Sequence, residues 1–307
     1  MSASTPIIEV ENLVVEYGKG AKKTRAVNNI SFEVNPGETV GFIGANGAGK
    51  STTIKTLMGF LFPTSGRVRL FGKEAGTVES RQRAGYLPEV ALYYPFMKAR
   101  ELLELYGGLQ GLSRQQLRDR IPPLLDKVGL AGKGEILLKN FSKGMQQRVG
   151  IAQSLIAEPE LLIFDELSSG LDPLGRHDLR NVLLELKPQG RTIFFSSHEL
   201  TEVESLCDRV IMIHRGQIVA AGTVRELMKP LNVFELQFSL PAGAAMPDAV
   251  AGLNPAAEGN DWKVETNDPD RFAAAIASLA GAGGRVVSTR THTKSLEDFF
   301  IELVREG

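Results

Sequence analysis

Eight consecutive residues, Gly44-Ala45-Asn46-Gly47-Ala48-Gly49-Lys50-Ser51, combine glycines, a lysine and a hydroxyl at the spacing of a phosphate-cradling P-loop. Glycines at 44, 47 and 49 allow backbone angles closed to other residues, so successive N–H groups can turn inward to phosphate oxygens. Thr52 to Met58 reads as a helix ending at Gly59, and its N-terminus adds partial positive charge behind Ser51 and Thr52. In this arrangement Lys50 reaches the β- and γ-phosphates of a nucleotide, and the Ser51 hydroxyl ligates a magnesium ion bridging them. The motif requires a strand before it, and the apolar run Thr39-Val40-Gly41-Phe42-Ile43 supplies one. A plain glycine-rich turn would satisfy the glycines alone. It would not explain the agreement of position, spacing and flanks.

Two further groups of residues can act on a phosphate held there. Leu161-Leu162-Ile163-Phe164 is a continuous apolar run, the pattern of a fully buried parallel strand, and it ends in Asp165-Glu166. Open α/β sheets place their chemistry at strand C-terminal ends, so Asp165 is expected beside the P-loop, holding magnesium directly or through water. Glu166 can then orient and deprotonate the water that attacks the γ-phosphate. A second apolar strand, Thr192 to Phe195, ends at Ser196-Ser197-His198 and delivers His198 to the same edge, where it can hydrogen-bond the γ-phosphate. Acids that cap a turn and a structural histidine are the plainer readings. The P-loop upstream weighs against both.

Positioning these groups needs a sheet whose strand ends converge. Ile7 to Tyr17 and Val27 to Val34 alternate apolar and polar side chains and are expected to pair antiparallel across the loop Gly18 to Arg25, as an edge-like element. Lys19, Lys22, Lys23 and Arg25 make that loop basic, which reads as a solvated tip rather than a binding patch. Gly66 to Phe71 reads as a strand, and Tyr86-Leu87-Pro88-Glu89 closes another. From Ala99 to Val128 the apolar positions fall at helical spacing, which marks a helical insertion at about residues 90–158. Strand runs resume at Leu161, Arg191 and Val210, separated by helices at about 174–187 and 199–206. The alternation predicts an α/β fold, a mostly parallel P-loop sheet with helices on both faces and an antiparallel β subdomain.

Composition shifts near Pro230, so the domains are expected to be 1–229 and a small α+β unit, 230–307. Strands are expected at Val233 to Leu240, Trp262 to Glu265 and Arg285 to Thr289, with helices from Pro269 to Leu279 and Ser295 to Arg305. No chemical motif falls there, and His292 reads as a surface or packing residue. A chain of 307 residues can bury about 75% of the surface its unfolded form exposes, ample for two domains. A net charge of −1 provides no basic field for nucleic acid, so none is expected as a partner. The single cysteine, Cys207, excludes an internal disulfide and reads as a small buried hydrophobe. Met1 to Pro6 is no signal peptide, and the apolar runs fall far short of the ~20 residues that span a bilayer. The chain is expected to be soluble.

Taken in order, the motifs from Tyr17 to His198 resemble the nucleotide-binding subunit of an ATP-binding cassette transporter, over about two thirds of the chain. The resemblance identifies Phe141-Ser142-Lys143-Gly144-Met145-Gln146-Gln147-Arg148 as the family's signature loop, whose Ser142 and Gly144 contact ATP held by a second subunit. A serine there is also a good helix N-cap. Ser168 to Pro173, with Asp172, resembles the loop through which paired subunits communicate, and Tyr17 matches the aromatic that stacks on adenine, or is an ordinary strand aromatic.

Two motifs depart from the family pattern. The signature reads Phe-Ser-Lys-Gly-Met rather than LSGGQ, and Glu89 stands where glutamine is usual; a carboxylate there can still ligate magnesium but loses the amide's donor. With the tail Ser295 to Phe300, both departures resemble the branch that drives multi-subunit exporters of drugs, lipids or polysaccharides. Tyr93-Tyr94-Pro95-Phe96 lies where members meet the transmembrane subunit, or is buried in the helical insertion. The resemblance implies magnesium-dependent ATP hydrolysis by a head-to-tail dimer, expected to be a homodimer. It implies a separate permease subunit and a place on the cytoplasmic face of the membrane. A nucleic-acid ATPase of this fold would carry a second cassette or a long coiled coil, and neither is present. A purely regulatory ATP-binding module would not need Glu166 and His198.

Overall fold

In the computed structural model, which describes residues 5–18, 20, 23–168, 171–228, 230–241, 243–259, 261–293 and 295–306, local pattern becomes strand at once. β1 (Ile8–Tyr17) buries Ile8, Val10, Leu13 and Val15. The alternation changes phase between Val10 and Leu13, where Asn12 takes φ 48° and the register shifts, as a β-bulge requires. β2 (Thr24–Val34) pairs antiparallel with it, from Ile8 opposite Val34 to Tyr17 opposite Thr24. β3 (Thr39–Ile43) is buried throughout, and α1 (Lys50–Leu57) follows the P-loop. β4 (Ser65–Leu70) and β5 (Lys73–Glu74) complete a four-stranded sheet of order β2-β1-β4-β5. β1 is therefore not at an edge. Alternation reports which face a side chain takes, not which strand lies beside it.

After α2 (Val78–Gln82) and β6 (Ala84–Leu87) come three helices, α3 (Ala99–Leu109), α4 (Arg114–Lys127) and α5 (Lys143–Leu155). The helical stretch 99–128 is broken once, where Gly111 turns with φ 86° and Ser113 caps α4 in a capping box with Gln116. The chain continues through β7 (Leu161–Phe164), α6 (Pro173–Leu186), β8 (Thr192–Ser197), α7 (Leu200–Leu206), β9 (Arg209–His214) and β10 (Gln217–Thr223). These strands build a six-stranded sheet of order β10-β9-β3-β8-β7-β6, parallel except for β10. The two sheets share one core. Its centre is the ring cluster Phe32, Phe42 and Phe194, whose centroids lie 5.5 to 5.8 Å apart.

The chain divides into two units, Met1–Val224 and Arg225–Gly307, with α8 (Val224–Leu227) at the division. The second unit runs β11 (Pro230–Ser239), α9 (Asp248–Ala251), β12 (Ala256–Glu258), β13 (Asp261–Thr266), α10 (Pro269–Gly281), β14 (Arg285–Thr293) and α11 (Leu296–Glu306). Its antiparallel sheet has the order β12-β13-β11-β14, the split βαβ arrangement of a β-α-β-β-α-β chain. Leu236, Phe238, Val250, Val264, Ala275 and Leu279 form its own core. Lys19, Lys22, Ser169, Gly170 and the side chain of His292 lie outside the described residues. Among those described, no helix is long and apolar enough to cross a membrane.

Candidate active site

Register brings the chemistry to one sheet edge. Ile43 pairs with Ser197 and Phe42 with Ser196, Phe164 pairs with Phe195, and Leu87 pairs with Phe164. The segments leaving β3, β6, β7 and β8 therefore emerge together at their C-terminal ends, where parallel sheets carry ligands.

The first of these segments is the P-loop. Gly47 and Gly49 take φ 80° and 112°, the region that glycine alone enters without strain, and a Cβ on Gly49 would lie 2.6 Å from the Ala26 carbonyl oxygen. Gly44 differs from the expectation. Its φ is not positive, and glycine is required there because a Cβ would lie 2.3 Å from the Ile213 carbonyl oxygen. Ala45, Asn46 and Gly47 are exposed at the crest, while Ala48 and Lys50 are buried. α1 starts with neither a side-chain cap nor an acid in its first turn, so nothing of its own neutralises the positive end of the helix. Lys50 Nζ donates to the Gly44 oxygen at 2.6 Å and the Ala45 oxygen at 3.3 Å, and pairs with Glu166 Oε1 at 2.9 Å. Gly47, Lys50, Ser51, Thr52, Glu89 and Glu166 are among the residues lining a cleft of about 280 Å³. Tyr17 is 42% exposed, and its hydroxyl lies 3.2 Å from that of Thr52.

The acids stand behind the loop. Asp165 is buried, and its Oδ1 accepts from Ser51 Oγ at 3.1 Å and from Ser196 Oγ at 2.8 Å. Burial pushes its carboxyl above the usual range, while the two hydroxyls pull it back. Glu166 takes φ 51°, an uncommon backbone for a residue with a Cβ, and its Oε2 lies 2.6 Å from His198 Nδ1. Oxygen donors suit a hard cation such as magnesium, which keeps waters and binds through one or two carboxylates plus phosphates. Ser51, Asp165 and Glu89 fit that description. Among the described residues no cluster of three or more acidic, histidine or cysteine side chains could hold a metal unaided.

Three further polar side chains hold the segments beside this network. Ser196 bonds Asp165, Ser168 Oγ donates to Glu202 Oε2 at 2.7 Å, and Gln147 Nε2 donates to the Leu167 oxygen at 2.6 Å. Ser168 and Gln147 fall within segments that the sequence singles out, whereas the signal for Ser196 is a hydroxyl closing an otherwise apolar buried strand.

The signature residues lie elsewhere. Ser142 caps α5, accepting from the Met145 N–H at 3.3 Å, and Asp172 caps α6, accepting from the Gly175 N–H at 2.8 Å. With Gly144 they line a second cleft of about 440 Å³ that shares no lining residue with the first. The segment 93–96 divides between its two readings: Tyr94 and Phe96 are exposed with ring centroids 5.7 Å apart, whereas the Tyr93 hydroxyl is buried.

Comparison with known proteins agrees with this geometry. The ABC transporter family model matches residues 27–169. An ABC transporter ATP-binding protein of Synechocystis sp. is 39% identical over 287 residues, covering 93% of this chain and 80% of its own length. The bacitracin transport ATP-binding protein of Bacillus licheniformis is 33% identical over 315 residues, covering 98% of each chain. A solved ATP-binding subunit of an ABC transporter, 35% identical, superposes with a TM-score of 0.64 over 72% of this chain and 91% of that one. With relatives matched over nearly the whole chain and a solved subunit sharing the fold, the chain belongs to the ATP-binding proteins of ABC transporters.

Proposed function

We propose that this ATPase works as one of a pair, each chain holding ATP on its P-loop and closing on the ATP of the other through Ser142, Gly144 and Asp172. The observation that carries the reading is the meeting of Lys50, Asp165, Glu166 and His198 at one sheet edge, away from the signature cleft. The loop N–H groups and Lys50 take the phosphates, with Asn46 to Thr52 as the wall of the cleft and Tyr17 beside adenine. On binding, Lys50 exchanges Glu166 and the loop carbonyls for the γ-phosphate. Glu166 is then free to accept the proton of water as its oxygen bonds the γ-phosphorus, and the bond to the ADP oxygen breaks. His198 holds Glu166 in place, and its imidazole would hydrogen-bond the same phosphate. Ser51 and Asp165, with Glu89 on the cleft wall, would hold magnesium, which neutralises charge on the β- and γ-phosphates.

We place the pair, as a homodimer, on the cytoplasmic face of a membrane beneath a separate permease, with Tyr94 and Phe96 as part of the surface it meets. The bacitracin transport protein and a Nod factor export protein of Cupriavidus metallidurans, 33% identical over 309 residues, support export as the direction. Replacing Glu166→Gln tests the reading. ATP affinity should stay within about threefold, turnover should fall by roughly 10²–10⁴, and ATP should accumulate a dimer in sedimentation. Undiminished turnover would remove Glu166 as the base.

A further inference from the structure

Ser196 sits at the C-terminal end of β8 with no exposed surface, and its hydroxyl makes two hydrogen bonds in opposite senses. Its Oγ donates to Asp165 Oδ1 at 2.8 Å and accepts the backbone N–H of Glu166 at 2.8 Å. One side chain on β8 thus grips two adjacent residues at the end of β7. The second grip falls where the backbone needs it. Glu166 holds φ 51°, a conformation that persists in a residue with a Cβ only where its surroundings over-determine it. Ser51 donates to the same oxygen of Asp165, so Oδ1 carries both hydroxyls, and among the described residues no hydrogen-bond donor reaches Oδ2.

We infer that Ser196 is a positioning residue for both acids, fixing the Asp165 carboxylate through Oδ1 so that Oδ2 is left free of hydroxyl donors, and pinning the left-handed turn that aims Glu166. The inference rests on the roles proposed above for Asp165 and Glu166. Packing alone does not account for the site. An apolar residue of similar volume would leave the Glu166 N–H buried without an acceptor and one donor to Asp165 missing. The P-loop backbone that holds the nucleotide is not among the groups Ser196 touches, so its removal should act on turnover and cation capture rather than on ATP affinity.

The test compares Ser196→Ala, Ser196→Cys and Ser196→Thr with the unaltered chain. Cysteine restores the volume with a weak donor and acceptor, and threonine keeps the hydroxyl. Turnover and KM for ATP are measured in saturating magnesium, Mn²⁺ binding to ADP-loaded protein is followed by electron paramagnetic resonance, and melting is recorded without nucleotide. Alanine and cysteine should each lower kcat and weaken Mn²⁺ binding by roughly 10–100-fold, the usual cost of losing a group that orients a ligand. KM for ATP should stay within about twofold, and threonine, if it melts like the parent, should recover most of the loss. Full activity in the alanine variant, or recovery in the cysteine variant, would overturn the inference. Asp165→Asn and Glu166→Gln are run in parallel. If they lose turnover while Ser196→Ala does not, only the role of Ser196 fails; if they too are fully active, the underlying reading fails.

Discussion

A single carboxylate shows how much is concentrated at residue scale. Glu166 meets Lys50 through one oxygen and His198 through the other, so the candidate base is held from two sides by groups distant in sequence. The pairing of Lys50 with Glu166 was not legible in the sequence, because it depends on side-chain reach across two strand ends rather than on spacing. Cys207 is the opposite case, since a lone cysteine already reads as a small buried hydrophobe. It is buried, and burial pushes its thiol well above the usual range. The thiolate is the reactive form, so the folded chain should label with iodoacetamide at pH 8 at least about tenfold more slowly than the chain in urea. Equal rates would show that this end of α7 opens readily.

At the scale of elements, register does the work that motifs only imply. β3, β7 and β8 were recognisable as buried apolar runs, but their order in the sheet was not, because a run buried on both faces carries no mark of its neighbours. β10 was missed for a related reason. Its side chains alternate between exposed and half-buried rather than forming a fully buried run, and it exists because a hairpin through Arg215 and Gly216 folds it onto β9. The P-loop joins β3 to α1 through backbone that admits no Cβ at Gly49. Replacing Gly49→Ala should cost roughly 1–3 kcal/mol in urea unfolding through its left-handed backbone, more if Ala26 cannot yield, and weaken ATP binding at least about tenfold. An unchanged unfolding midpoint would mean that the turn relaxes without cost.

For the whole molecule, every residue proposed to touch nucleotide lies within Met1–Val224, and Arg225–Gly307 has a separate core. A chain ending at Val224 should therefore bind ATP within about threefold of the full chain, by titration with a fluorescent analogue. We expect the second unit to aid pairing or its regulation, so the shortened chain should form the ATP-dependent dimer less readily in sedimentation. Loss of nucleotide binding would show that the first unit depends on the second.

The sequence by itself determined the ligand and the chemistry. Gly44 to Ser51, Asp165-Glu166 and His198 are local patterns, and local patterns survive in a string because each needs only its own strand, turn or helix start. The helical insertion and the α+β character of the tail were legible for the same reason. Only the tertiary structure decided which strands stand side by side, that β1 lies inside its sheet, and that the tail takes a split βαβ order. It also decided that Ser196 bridges Asp165 and Glu166 and that the signature cleft stands apart from the P-loop. These are contacts between residues tens of positions or more apart, and they arise from strand register and packing, which no spacing along the chain encodes.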